Sequence, residues 1–406
     1  MRWSRYILAL LLVTAAPPAS GYSVLTHEAI IDRNWKDGIK PLLLRRFPDA
    51  NEDRLREAHA YAYGGAIIQD MGYYPFGNHF FSDLTHYTRS GDFVLALIRD
   101  SQDLDEYAFA LGALAHYAAD NLGHPIAVNR SVPMVYPKLE RRFGSVVTYE
   151  DNPAAHLKTE FGFDVIEVAQ GQYASEAYHD FIGFKVSKPV LERAFEDTYC
   201  VPLHKLFHDF DLALGTYRFA VSRVIPETTK AAWSAKKDDI EKLQAGMTRR
   251  RYVYRLSRRD YQRDWKEHYQ KPGFGAEVLA FLFRLIPKVG PFQGLAFKVP
   301  PAGAERLFAQ SFNETMDSYH QLLVQVGESQ LKLENENFDV GRLTRRGDYE
   351  LADQAYEKLL EHLADSGDKA TPELRADILS FYGSSEVPLS AKATSTLGAL
   401  RTASPQ

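Results

Sequence analysis

Cysteine is nearly missing from this chain: among 406 residues there is one, Cys200. No intramolecular disulfide can form, so a small scaffold stapled by bridges is excluded, and no lipobox cysteine is available for an anchor. An excess of positive charge is missing too. Lys and Arg number 48 against 53 Asp and Glu, a net charge of −5. That balance argues against a protein that grips nucleic acid chiefly by charge, although a local basic face stays open. Runs of alternating β-branched residues are few, and no internal repeat stands out.

What remains is globular in kind, with 45% hydrophobic, 25% charged and 13% aromatic residues. The length supports one large domain or two smaller ones that fold without staples. Stability without bridges must come from the core, from metal ions, or from both. At the start, Arg2 and Arg5 precede the apolar run Tyr6–Ala16, followed by Pro17, Pro18, Ala19, Ser20 and Gly21. A positive start, a short apolar stretch and small residues read as a secretory signal peptide over residues 1–21. The run is short for a bilayer span, an uncleaved anchor being the alternative. Cleavage after Gly21 would make Tyr22 the mature N-terminus and place the protein outside the cytoplasm or in the periplasm.

Apolar spacing of three and four predicts helices over Leu95–His124, Leu203–Val224, Lys230–Leu243, Leu307–Leu333 and Tyr349–Leu363, separated by Pro-rich breaks. The expected class is all-α. Composition shifts near Pro226, which suggests a first domain over 22–225, a helical region over 226–383 and a disordered Ser/Thr/Ala-rich tail over 384–406. The Arg-rich stretch Thr248–Tyr269 reads either as a solvated helix face or as a contact with an anionic surface. Phe274–Val299, interrupted by Glu277, Arg284, Pro287 and Lys288, reads as a buried helical hairpin or as a membrane-facing apolar surface.

Histidine is the commonest metal ligand, and ligands four apart share one helix face. Four pairs have that spacing: His79–Asp83, His116–Asp120, His156–Glu160 and His204–His208. With 13 His and 53 acids in the chain, chance alone gives about two, so context must decide. His116 and Asp120 sit in a helix whose neighbours (YAFALGALAHYAA) are nearly all apolar or small, with no Lys or Arg between Arg99 and Arg130. A carboxylate buried there is costly unless a cation meets it. His124, one turn on, follows Gly123 and precedes Pro125, where the helix should end. Asp70 and His86 add a carboxylate and an imidazole among aromatics, with Asp83 and His79 as competitors. His27 lies just past the expected mature end. His156–Glu160 alone could be an exposed face, and His204–His208 reads as structural. His59, His179, His268, His320 and His362 have no supporting context.

In this order the residues resemble the zinc-dependent phospholipase C superfamily, an all-α fold shared by bacterial phospholipases C, the zinc domain of glycosylphosphatidylinositol-specific phospholipase D and single-strand nucleases. The resemblance covers roughly Tyr22 to Phe161, with Val224 as its outer limit. It implies up to three zinc ions held by Tyr22 through its backbone, His27, Asp70, His86, His116, Asp120, His124, His156 and Glu160, with Asp120 bridging two of them and Asp70 also a candidate general base. Three departures stand out: Tyr22 replaces the usual Trp, His124 follows Asp120 at the shorter spacing of the phospholipase D-like members, and nothing after Pro226 resembles a known lipid-binding β domain. The implied activity is hydrolysis of phospholipid head-group phosphodiesters, with peripheral membrane contact. One alternative is a nuclease or 3′-nucleotidase, for which Tyr73, Tyr74, Phe76 and Tyr136 could form a base slot. The other is a non-catalytic, metal-stabilised helical binding protein.

Overall fold

The structure, a computed structural model, describes residues 22–169, 172–173, 182–226, 228–229, 232, 297–366, 370–383 and 388–402. The expected signal peptide, the basic stretch, residues 274–296 of the apolar segment and most of Lys230–Leu243 lie outside the described residues.

The described residues are mostly helical, as the periodicity predicts. In order come α1 (Val24–Asn34), α2 (Lys40–Arg46), α3 (Glu52–Gly65), α4 (His79–Tyr87), α5 (Ser90–Asp100), α6 (Leu104–Leu122), α7 (Asn129–Val135), α8 (Pro137–Phe143), α9 (Pro153–Ala169), α10 (Lys188–Tyr199), α11 (Leu203–Leu206) and α12 (Phe210–Phe219), then α13 (Ala302–Gly327), α14 (Glu350–Ser366), α15 (Pro372–Tyr382) and α16 (Ala391–Thr402). Between α13 and α14 a short hairpin pairs β1 (Glu336–Asn337) with β2 (Arg342–Leu343), Glu336 opposite Leu343. No described helix is long and apolar enough to cross a membrane.

Helix α6 is the axle, with α1, α2, α3, α5 and α13 packed around it. Asp103 starts it by accepting the amides of Asp105 and Glu106 at 3.0 and 2.9 Å, which satisfies donors that a helix otherwise leaves orphaned. The helix expected over Leu95–His124 is therefore two helices, broken at Ser101–Asp103 because that cap competes with continuation. Close packing explains the small residues of α6. A Cβ on Gly112 would stand 2.1 Å from the Ala62 carbonyl oxygen, and one on Gly65 would stand 1.9 Å from that of Phe109, so α3 and α6 meet backbone to backbone.

Two expectations need correction. Residues on either side of position 226 share one core: Phe308, Phe312, Met316 and Tyr319 of α13 belong to the same apolar cluster as Tyr22, Ile30, Leu111 and Phe163. The division at 225/226 does not separate two cores. The tail also carries structure, because α16 lies within residues expected to be disordered and packs on α14. Ala393 and Leu397, four apart, are buried there, and the Ser390 amide donates to Glu357 Oε1 at 2.8 Å. Two well-placed apolar side chains suffice where a partner helix supplies the rest of the contact. Residues 384–387 and 403–406 lie outside the described residues.

Candidate metal centre

Helix α6 carries His116 and Asp120 one turn apart, with His116 Nε2 at 3.0 Å from Asp120 Oδ2. The Nδ1 of His116 faces the Ala66 carbonyl at 2.9 Å and must be the protonated nitrogen, since a carbonyl only accepts. Its Nε2 lone pair is thereby aimed at the cluster, the arrangement that fixes metal-ligating imidazoles. His86 of α4 is held in the same way, Nδ1 against the Ser82 carbonyl at 2.8 Å. Its Nε2 lies 3.3 Å from Asp70 Oδ1, 3.6 Å from Asp120 Oδ2 and 3.3 Å from His116 Nε2. Asp70 comes from a 3-10 turn over Ile68–Tyr73. From α1, His27 places Nε2 3.4 Å from Asp120 Oδ1 and stacks its ring on His116 with centroids 4.6 Å apart.

A second focus lies beside the first. His124 stands on the π-type turn Gly123–Val128 that continues α6. Its Nδ1 is 2.9 Å from His156 Nε2, which is 2.8 Å from Glu160 Oε1 one turn along α9. His124 Nε2 points back toward Asp120 Oδ2 at 3.7 Å and so links the two foci. Donor atoms converge in three groups: His27, His116 and Asp120; Asp70, His86 and His116; His124, His156 and Glu160.

These residues fit divalent cations. All of them are buried, and both carboxylate oxygens of Asp70 and of Asp120 lack a hydrogen-bond partner, as do both ring nitrogens of His27 and Glu160 Oε1. Among the described residues no Lys or Arg pairs with Asp70, Asp120 or Glu160. Isolated buried carboxylates cost several kcal/mol each. Zinc–ligand bonds of about 2.0–2.2 Å in a tetrahedron put neighbouring donors about 3.3–3.6 Å apart, and the separations above bracket that spacing. The imidazole and carboxylate donors suit zinc.

Electrostatics in the bare protein show the same tension. Burial pushes Asp120 upward but His116, then His124 and His86, outweigh it and hold the carboxyl well below its usual range. Burial, reinforced by His116, drives His27 down to about 3. His86 rises to about 9, because Asp120 and Asp70 overcome its desolvation. Asp70 and Glu160 are pushed up by burial despite neighbouring imidazoles.

The competitors fall away. His79 is exposed, with its ring edge-on to Tyr73, and Asp83 joins none of the three groups. His204 and His208 are exposed and stand apart from the cluster. Tyr22 is buried beside it: its ring is 6.1 Å from that of His27, its hydroxyl is 2.5 Å from Ser311 Oγ, and Gly123 lies beneath the ring. The suggested aromatic slot does not assemble, since Tyr74 packs edge-on against Tyr217 in the core while Phe76 is exposed. One neighbour escaped sequence reasoning. Asp339, in the turn between β1 and β2, places Oδ1 2.8 Å from His124 Nδ1. No histidine precedes it at helical spacing, and its surroundings, Asn337 to Gly341, read only as a turn.

An all-α chain with a buried His/carboxylate cluster has the architecture of a metalloprotein. Residues 26–209 match the family described as zinc dependent phospholipase C. No curated protein and no solved structure matches the chain. The matched segment includes every metal-ligand candidate from His27 to Glu160; Tyr22 and Asp339 fall outside it.

Proposed function

We propose that the protein is an exported zinc phosphodiesterase that hydrolyses phospholipid head-group phosphodiesters in the manner of a phospholipase C. The observation that carries this reading is the meeting of Asp70, His86, Asp120 and Glu160, drawn from four separate elements, in one buried cluster with the other histidines. Asp70, His86 and His116 would hold one zinc ion and His27 with the Tyr22 backbone a second, with Asp120 shared between them; His124, His156 and Glu160 would hold a third. Zinc in these positions supplies Lewis acidity toward the phosphate oxygens and a nucleophile at neutral pH. Asp70, whose carboxylate oxygens have no hydrogen-bond partner, would be the group to accept the proton of the attacking water. The phosphorus–oxygen bond to the lipid backbone breaks, and that proton leaves with the diacylglycerol oxygen. The Tyr73 and Tyr149 rings, 6.0 Å apart, stand beside His86 and His156 and limit water there.

Export supports the second ion. Removal of residues 1–21 would free the Tyr22 amine next to His27, whereas the precursor would lack that ligand. The basic and apolar stretches after Pro226 would bring the enzyme to a lipid surface.

The mature chain assayed on phosphatidylcholine vesicles and on single-stranded DNA, each with and without chelator, tests the reading. Chelator-sensitive release of the phosphorylated head group is expected. Cleavage of DNA alone would make it a nuclease, and zinc held tightly with neither activity would make it a binding protein.

A further inference from the structure

The segment that joins α13 to α14 lies outside the family match, yet it reaches the cluster. Hairpin β1–β2 is pinned there by several bonds. The Phe338 amide donates to the His86 carbonyl at 3.2 Å, and the Phe338 ring stands over His86 and His116 with centroids 5.4 and 6.0 Å away. Asn129 Nδ2 donates to the Asp339 carbonyl at 2.6 Å. Gly341 closes the turn at φ 60°, and a Cβ there would stand 2.4 Å from the Asn121 carbonyl oxygen, so the hairpin lies directly on the end of α6.

The Asp339 carboxylate is divided in its roles. Its Oδ2 accepts from the Tyr149 amide at 3.0 Å and from the Tyr349 hydroxyl at 2.5 Å. Its Oδ1 has no hydrogen-bond partner although Asp339 is 1% exposed. That orphaned oxygen lies 2.8 Å from His124 Nδ1 and 4.0 Å from His156 Nε2. The two fixed Oδ2 bonds leave Oδ1 aimed at the space which His124, His156 and Glu160 already face.

We propose that Asp339 is a fourth protein ligand of the His124–His156–Glu160 metal site, contributed by the C-terminal region. The inference rests on the zinc reading above. Two neutral imidazoles and two carboxylates would balance the charge of one divalent cation and supply it with four protein donors. The ion at this focus then ties the hairpin to α6 and α9, so residues beyond the matched segment become part of the metal centre.

The test uses the full mature chain, stripped with chelator, reloaded with zinc alone, desalted and analysed for metal. Asp339→Asn should lose about one zinc per chain relative to the parent. Tyr349→Phe, which removes one holder of Oδ2 and leaves Oδ1 in place, should keep the parent's zinc content. Asp339→Cys loaded with cobalt(II) should show a thiolate-to-cobalt charge-transfer band that the parent lacks, because its Cys200 caps the end of α10 and is not part of the cluster. If cobalt-loaded Asp339→Cys shows no such band, Asp339 is at most a positioning residue and the proposal is overturned, even if Asp339→Asn loses metal. Unchanged zinc in Asp339→Asn overturns it as well. A parent chain that takes up no zinc would sink the proposed function itself, which separates the two failures.

Discussion

The Tyr22 hydroxyl and Ser311 Oγ, 289 residues apart in sequence, lie 2.5 Å from each other in the core. The first described residue of the chain is thus held by α13, a helix outside the family match, and its ring fills the space above a residue with no side chain. Gly123 is that residue.

A methyl group on Gly123 would come within 2.8–3.0 Å of three Tyr22 ring atoms. The ring is buried and pinned at its hydroxyl, so it cannot move aside cheaply. Gly123→Ala should lower stability by about 1–3 kcal/mol and reduce zinc content, since His124 is the next residue. Gly215→Ala is the control: it lies inside α12 with nothing within 4 Å of the added carbon. That substitution should be neutral or stabilising by up to about 1 kcal/mol. Denaturant unfolding of both variants checks the pair.

A second expectation concerns pH and is independent of the metal centre. Burial raises the Asp377 carboxyl from 3.8 to about 6, against the lowering effects of the Tyr356 hydroxyl and Arg89. The folded chain therefore binds this proton more tightly than the unfolded chain. Asp377 contributes most to stability below pH 4, and the contribution is lost as pH rises through about 6. The total is at most about 3 kcal/mol. In Asp377→Asn, unfolding free energies measured from pH 4 to pH 7 should lack this loss. Parallel profiles for parent and variant would contradict it.

The tail helix makes a third prediction. Leu397 is 4% exposed against α14, so Leu397→Ala should cost about 2–4 kcal/mol. Its zinc content should match the parent's, because α16 supplies none of the candidate ligands. Circular dichroism melting together with metal analysis reads both effects.

The parts legible in the sequence were those governed by local rules. His116 and Asp120 could be found because a carboxylate in a helix of Ala, Leu and Gly needs an outside cation, and that need is written in the neighbouring residues. Class was equally plain, since the spacing of apolar residues sets it. The break at Ser101–Asp103 was hidden because the apolar period runs through it and only the Asp103 cap marks it. Helix α16 was hidden by its composition: burial of Ala393 and Leu397 depends on a partner helix that no local pattern reveals. Asp339 shows the limit most clearly, because its role follows from where a two-residue hairpin lands on α6, a tertiary fact with no local signature.

The central claim is that the gathered carboxylates and imidazoles are tolerable only because divalent cations occupy them. Zinc per chain, measured on the mature parent and on His116→Ala and Asp120→Ala, tests it most directly. The account predicts up to three zinc ions in the parent and the loss of about one or more in each variant. A parent without zinc, or folded variants whose zinc equals the parent's, would contradict it.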